Sequence, residues 1–198
     1  MLNQLKGINK GITKLGWQVI AELLSRKNGR RIIIDIKHMS MKGRREYYNF
    51  VETYNEMHPT DPIPIVCSHT GVSAFATFEE ACGEKDRMKK MKNSLFNNWT
   101  INLCDEDIRV IYRSGGLIGI MMDKGLLASP KRLKGIELLI NPLKRKEAFV
   151  QVVWDNVFQI VKAVNHQNGW DIIALGSDYD GIISHIDYYA DMSCMQQL

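Results

Sequence analysis

Apolar and polar positions alternate between two periods along this chain. Leu15, Val19, Ile20, Leu23 and Leu24 recur at helical spacing, with Thr13 as N-cap and Asn28-Gly29 as the stop. The run Arg31-Ile-Ile-Ile-Asp35-Ile-Lys37-His38 follows as a β-branched strand. Ser40 then caps a helix through Tyr47, Val51 and Tyr54, which the segment His58-Pro-Thr-Asp-Pro62 breaks. A second strand covers Ile63 to Ser68. A polar, Lys-rich insertion spans about residues 79 to 100, and Asp105-Glu-Asp107 opens a helix with carboxylates at its positive end, closed by Gly115-Gly116. Leu117 to Met122 is a third strand, and Gly125 to about Pro142 a long irregular crossover. From Lys146 to His166, Phe149, Val152, Val153, Val157, Ile160, Val161 and Val164 form a helical stripe ending at Asn168-Gly169. A fourth strand starts at Ile172.

Strands that alternate with helices and are apolar throughout indicate βαβ units around a parallel sheet buried on both faces. No internal repeat and no linker divides the chain, so residues 1–198 form a single domain. A complete (β/α)8 barrel takes roughly 250 residues. With 198 residues and several long connections, the expectation is a partial barrel.

Composition narrows the function classes. Hydrophobic residues make up 45%, charged residues 24%, and the net charge is +4, values of an ordinary globular domain. The basic run Glu84-Lys-Asp-Arg-Met-Lys-Lys-Met-Lys92, like Lys131-Arg132 and Lys144-Arg-Lys146, lacks aromatic interleaving and reads as a solvated face, so no nucleic-acid partner is expected. No stretch approaches 18 uncharged apolar residues, and the first seven residues hold no signal-peptide core, so no membrane partner is expected either. Cys67, Cys82, Cys104 and Cys194 show no CxxC spacing and read as free thiols in a reducing, cytoplasmic setting.

Candidate chemistry lies at three strand ends, where His38, His69 and Asp178 each terminate an apolar run. In parallel-strand barrels, catalytic side chains come from the C-terminal ends of different strands and converge on one mouth. Strand alternation puts His38 on the face of Ile34 and Ile36, His69 with Ile65 and Cys67, and Asp178 with Ala174 and Gly176. A lone strand-end histidine is usually a hydrogen-bonded structural residue, but two of them with a carboxylate suit zinc and a metal-activated water. Asp35, on the opposite face, reads as an anchor for backbone or helix groups, and Lys37 also points away from the metal. His58 reads as a loop residue, His166 as a helix C-terminal cation, and His185 as a loop residue near the mouth. There is no G-x-S-x-G elbow, Walker motif or G-x-G-x-x-G, and Asp178-Tyr-Asp180-Gly181 lacks the remaining ligands of a calcium loop.

Taken in order, Ile34-Asp-Ile-Lys-His-Met-Ser40, Ile65-Val-Cys-Ser-His-Thr70, Asn102-Leu-Cys-Asp-Glu-Asp-Ile108, Gly115-Gly-Leu-Ile-Gly-Ile120 and Leu175-Gly-Ser-Asp-Tyr-Asp-Gly181 resemble the motifs of the membrane (renal) dipeptidase family in the amidohydrolase superfamily. The likeness runs from the Ile12-Thr-Lys-Leu-Gly-Trp17 helix onward. It implies an α/β fold, the C-terminal half of a TIM-like (β/α)8 barrel comprising about four β/α units, strands five to eight. It also implies a dipeptide or related amide substrate and a pair of zinc ions. By resemblance His38 and His69 are metal ligands on strands five and six, and Asp178, a third candidate metal ligand, is the strand-eight carboxylate that handles the proton of the nucleophilic water. The family's His-x-Asp pair and bridging Glu have no counterpart in this chain. Thr100 and Ile101 stand where the family places a substrate-gripping Arg before Asn102, and Lys37 replaces a Ser before the first ligand.

Two functional readings follow. One is a zinc-dependent hydrolase of dipeptidase type, with weak metal retention by this chain alone. The other is a catalytically inactive half-barrel acting as a structural or interaction module. Four parallel strands cannot close a barrel, leaving the inward row Ile34, Ile36, Ile65, Cys67 and Ala174 facing nothing. The chain is therefore expected to pair, either with a missing N-terminal half or with a copy of itself.

Overall fold

The computed structural model describes residues 10–83 and 94–197; the basic run at 84–92 lies outside the described residues. Helix α1 (Lys14–Leu24) starts at Thr13, whose side chain accepts a bond from the Gly16 amide, and α2 (Met41–Met57) starts at Ser40, which accepts from Gly43. Then come strand β1 (Val66–Thr70), the short α3 (Phe78–Cys82), α4 (Asp105–Arg113), β2 (Leu117–Ile120), α5 (Lys124–Leu127), α6 (Pro130–Glu137), the long α7 (Pro142–Val164) and β3 (Ile173–Leu175). Gly115, at φ +70°, provides the left-handed turn that releases the chain from α4 into β2.

The three strands form a parallel sheet in the order β1-β2-β3. Val66 pairs with Leu117, and Ile118 with Ile173. The expected strand over residues 31–37 is reduced to one parallel bridge between Asp35 and Val66, with the Ile36 amide donating to the Val66 carbonyl at 2.9 Å. The Asp35 side chain is turned to polar groups of β1, and His38 adopts a left-handed φ of +67°, so the segment cannot continue as a regular ladder. The crossover expected to be irregular over 125–142 instead holds α5 and α6, each opened by a side-chain cap, Asp123 and Ser129.

Helices α1, α2, α4 and α7 and the strands contribute to one core that includes Leu24, Tyr47, Ile65, Ile118, Ile160 and Phe149. The expectation that the inward row would face nothing is corrected here. Ile36, Ile65 and Cys67 are buried within the chain, while Ile34 and Ala174 are half-buried. A Cβ on Gly119 or Gly176 would run into the Ser68 carbonyl oxygen, so only glycine lets the backbones of the three strands approach so closely.

A buried polar network underlies the sheet. The Arg44 guanidinium Nε lies 3.2 Å from Asp107 Oδ1, Tyr48 Oη donates to the same oxygen at 2.8 Å, and the Cys104 amide donates to Asp107 Oδ2 at 2.9 Å. Asn156 of α7 accepts from the Val72 amide at 3.0 Å and donates to the Leu127 carbonyl at 3.1 Å, pinning the turn just beyond β1.

Candidate functional site

His69 lies inside β1, His38 follows the Asp35 bridge by three residues, and Asp178 follows β3 by three. The parallel sheet brings these strand ends together, as the barrel rule requires. Their side chains converge. His38 Nε2 and His69 Nε2 are 3.2 Å apart, their rings tilted by 56°, and His69 Nε2 is 3.7 Å from Asp178 Oδ2. Asp178, like His38, has a left-handed backbone, at φ +55°. Each such non-glycine residue costs of order 1–3 kcal/mol, and conformations of this kind collect at functional sites.

A metal-bound imidazole nitrogen stands about 2.0–2.1 Å from zinc, so two on a tetrahedral centre are about 3.3–3.4 Å apart. The histidine pair fits two corners of such a site. Among the described residues, however, no group of three or more His, Cys, Asp or Glu side chains is arranged to hold a metal ion. The pair could supply two donors of a coordination shell, and Asp178 borders it.

The surroundings keep His69 neutral. Burial lowers its pKa, and Lys37 and His38 push the same way, outweighing the attraction of Asp178 and Asp35. On the other side, Asp35 accepts bonds from the Lys37 amide (3.0 Å), the Ser68 amide (3.0 Å) and the Ser68 hydroxyl (2.5 Å), and Ser68 Oγ is 2.7 Å from His69 Nδ1. Partial burial pushes the Asp35 pKa up, but the Ser68 hydroxyl and the two amides bring it below the usual carboxylate value. Asp35 is thus the backbone anchor the sequence suggests, and it also reaches His69 through Ser68. The signal for Ser68 was present in the sequence: a hydroxyl directly before a strand-end histidine, level with a carboxylate on the neighbouring segment.

Lys37 is only 7% exposed, and its Nζ has no hydrogen-bond partner. Burial lowers its pKa, as does Arg44, against Cys67, Asp178 and Asp35. On β1, burial pushes the Cys67 thiol up to about 12, so in the metal-free chain it stays a thiol at neutral pH.

The remaining histidines stay outside the cluster. His58 caps α2, stacks on Tyr54 and places Nδ1 2.9 Å from the Tyr54 carbonyl. His166 does not act as a helix C-terminal cation: its Nδ1 accepts from the Asn168 amide and opens the next turn. His185 is exposed, its backbone bridged to Asp123. Asp123, missed in the sequence, is 5% exposed and ties down the loop after Asp178, accepting from Ser184 at 3.0 Å and Ile183 at 3.3 Å while capping α5 through Leu126. Asn102 is structural, donating to the Asn97 and Leu126 carbonyls. All four cysteines are free thiols, and no helix among the described residues is long and apolar enough to cross a membrane.

Comparison with known proteins bears on family and fold. Residues 3–198 match the family described as membrane dipeptidase (peptidase family M19). No curated protein matches the chain. Among solved structures, it is similar to a metallopeptidase from Rhodobacter sphaeroides liganded with a phosphinate mimic of the dipeptide L-Ala-D-Ala (18% identity, TM-score 0.61, covering 96% of this chain and 39% of that one). A dipeptidase AC of the same metallopeptidase family gives 18% identity and TM-score 0.59, with 95% and 40% covered. The probable dipeptidase PvdM from Pseudomonas aeruginosa gives 19% identity and TM-score 0.50, with 94% and 47% covered. The chain therefore spans less than half the length of each of these structures, and the likeness is one of fold.

Proposed function

The chain belongs to the membrane dipeptidase family, and from that premise we propose that it forms part of a zinc-dependent hydrolase cleaving dipeptides or related amides. The observation that carries the reading is the convergence of His38 Nε2 and His69 Nε2 at 3.2 Å beside the Asp178 carboxylate. The similar Rhodobacter enzyme's dipeptide-mimic ligand supports dipeptides as the substrate class.

In this mechanism the two imidazoles would hold a metal through Nε2, in the manner of a half-barrel contributing strands five to eight. The chemistry such a metal would supply is a bound water with its pKa lowered to about 7. Asp178 Oδ2 accepts the proton of the attacking water and returns it to the amine released from the scissile bond, as a positioned carboxylate does in general acid–base catalysis. Its 31% exposed side chain leaves room for substrate on the open side. The remaining metal ligands and the grip on the substrate's carboxylate would come from beyond the described residues, for which a complementing N-terminal half or a second copy is the candidate. Sedimentation at low micromolar concentration with intact-mass analysis tests that pairing, and a cooperatively folding 22.7 kDa monomer with no companion opposes it.

A second reading has its own support. The unpartnered Lys37 ammonium among the same charges, with no three-ligand group among the described residues, suits a silent structural or interaction module. Metal analysis and assay of a dipeptide panel with the full-length protein, with His38→Ala as control, separate the two. Zinc-dependent turnover lost in the variant supports the enzyme, and no turnover with or without zinc supports the module.

A further inference from the structure

Proton placement along Asp35, Ser68 and His69 has one solution. An ionised carboxylate only accepts hydrogen bonds, and a serine hydroxyl carries a single hydrogen. Ser68 Oγ lies 2.5 Å from Asp35 Oδ2 and 2.7 Å from His69 Nδ1. Its hydrogen goes to Asp35, so towards His69 the oxygen can only accept. Nδ1 must then carry a hydrogen, and in the neutral ring the lone pair belongs to Nε2. Asp35 is held independently of that hydroxyl by the Lys37 and Ser68 amides, each at 3.0 Å, so the relay begins from a fixed carboxylate.

We propose that Asp35 and Ser68 are positioning residues that lock His69 in the Nδ1–H tautomer, presenting the Nε2 lone pair to the space shared with His38 and Asp178. In the metal-free chain the same placement assigns the 3.2 Å Nε2–Nε2 contact, with His38 as donor and His69 as acceptor, and a metal bound there would take the place of the His38 Nε2 hydrogen. An imidazole free in water favours the opposite, Nε2–H form, so the relay reverses an intrinsic preference. Neither residue reaches the shared space itself; both act through the ring. The proton placement stands without the metal, whereas its use in ligation rests on the proposed function.

Nitrogen NMR of the full chain labelled with 15N-histidine, metal-free at neutral pH, reads the tautomer directly, with His69 assigned by loss of its signals in His69→Gln. The expected wild-type pattern is a pyrrole-type Nδ1 and a pyridine-type Nε2. Ser68→Ala should exchange the two, and Ser68→Thr should restore the original. A wild-type His69 protonated on Nε2 overturns the proposal by itself, as does a folded Ser68→Ala with an unchanged pattern. Zinc titration of the same samples examines the metal reading separately, with Ser68→Ala expected to bind about 10-fold or more weakly. The Nδ1–H pattern with no response to zinc keeps the relay and removes the metal.

Discussion

His38 and His69, which lie on neighbouring segments of the fold, present their Nε2 atoms to each other across 3.2 Å, with Asp178 3.7 Å from the second ring. Three polar groups share one small space that the chain reaches with left-handed turns at His38 and Asp178. Backbone cost of that kind is maintained where the surrounding structure requires the position.

Metal retention should be weak in this chain alone. Two imidazoles fall short of the three protein ligands usual for catalytic zinc. After dialysis against a chelator and return to zinc-free buffer, elemental analysis should find occupancy far below one zinc per chain. Tight stoichiometric zinc would mean that a third ligand is already in place.

The Arg44–Asp107 pair should be costly to break. Side chains of both residues are essentially inaccessible, and Asp107 also receives Tyr48 and the Cys104 amide. Asp107→Ala leaves a guanidinium buried without its counter-charge, which should cost about 3–5 kcal/mol. Urea unfolding should show a lower midpoint with an unchanged slope. A shift below about 1 kcal/mol would show that Arg44 finds water or another partner.

Tyr47 should govern part of the alkaline stability limb. Its hydroxyl is buried without a partner, and burial pushes its pKa up to about 12, against a small pull from Arg31. With the folded value above the unfolded value near 10, the associated stability is present below pH 10 and is lost as pH rises towards 12. Tyr48 acts in the same direction. Tyr47→Phe should be neutral or slightly stabilising at pH 7 and should flatten the loss between pH 10 and 12 in thermal melts; an unchanged alkaline limb would place the titration elsewhere.

How much of this was legible in the sequence depended on whether the signal was local. Thr13 and Ser40 declared themselves as caps because an N-cap needs only its own next turn. The strand-end rule correctly brought His38, His69 and Asp178 together, because a parallel sheet aligns such ends whatever the loops do. The burial of Lys37 was hidden, since strand periodicity separates two faces but does not say which neighbours cover each. The Arg44–Asp107 pair and Asp123's hold on Ser184 join distant segments with no pattern linking them. The missing first strand was misjudged for a related reason. Apolar β-branched residues report burial, and Ile36 is fully buried, but a ladder also needs backbone partners, and at Asp35 only one bridge forms.

Turnover by Asp178→Asn tests the central claim most directly. In the zinc-loaded full-length protein, wild type should hydrolyse members of a dipeptide panel, while Asp178→Asn, which cannot take the proton of the attacking water, should fall by about 10²–10⁴-fold in kcat with zinc content unchanged. Undiminished turnover in Asp178→Asn would contradict the proton-handling role, and a zinc-loaded wild type that hydrolyses no dipeptide would contradict the proposed function itself.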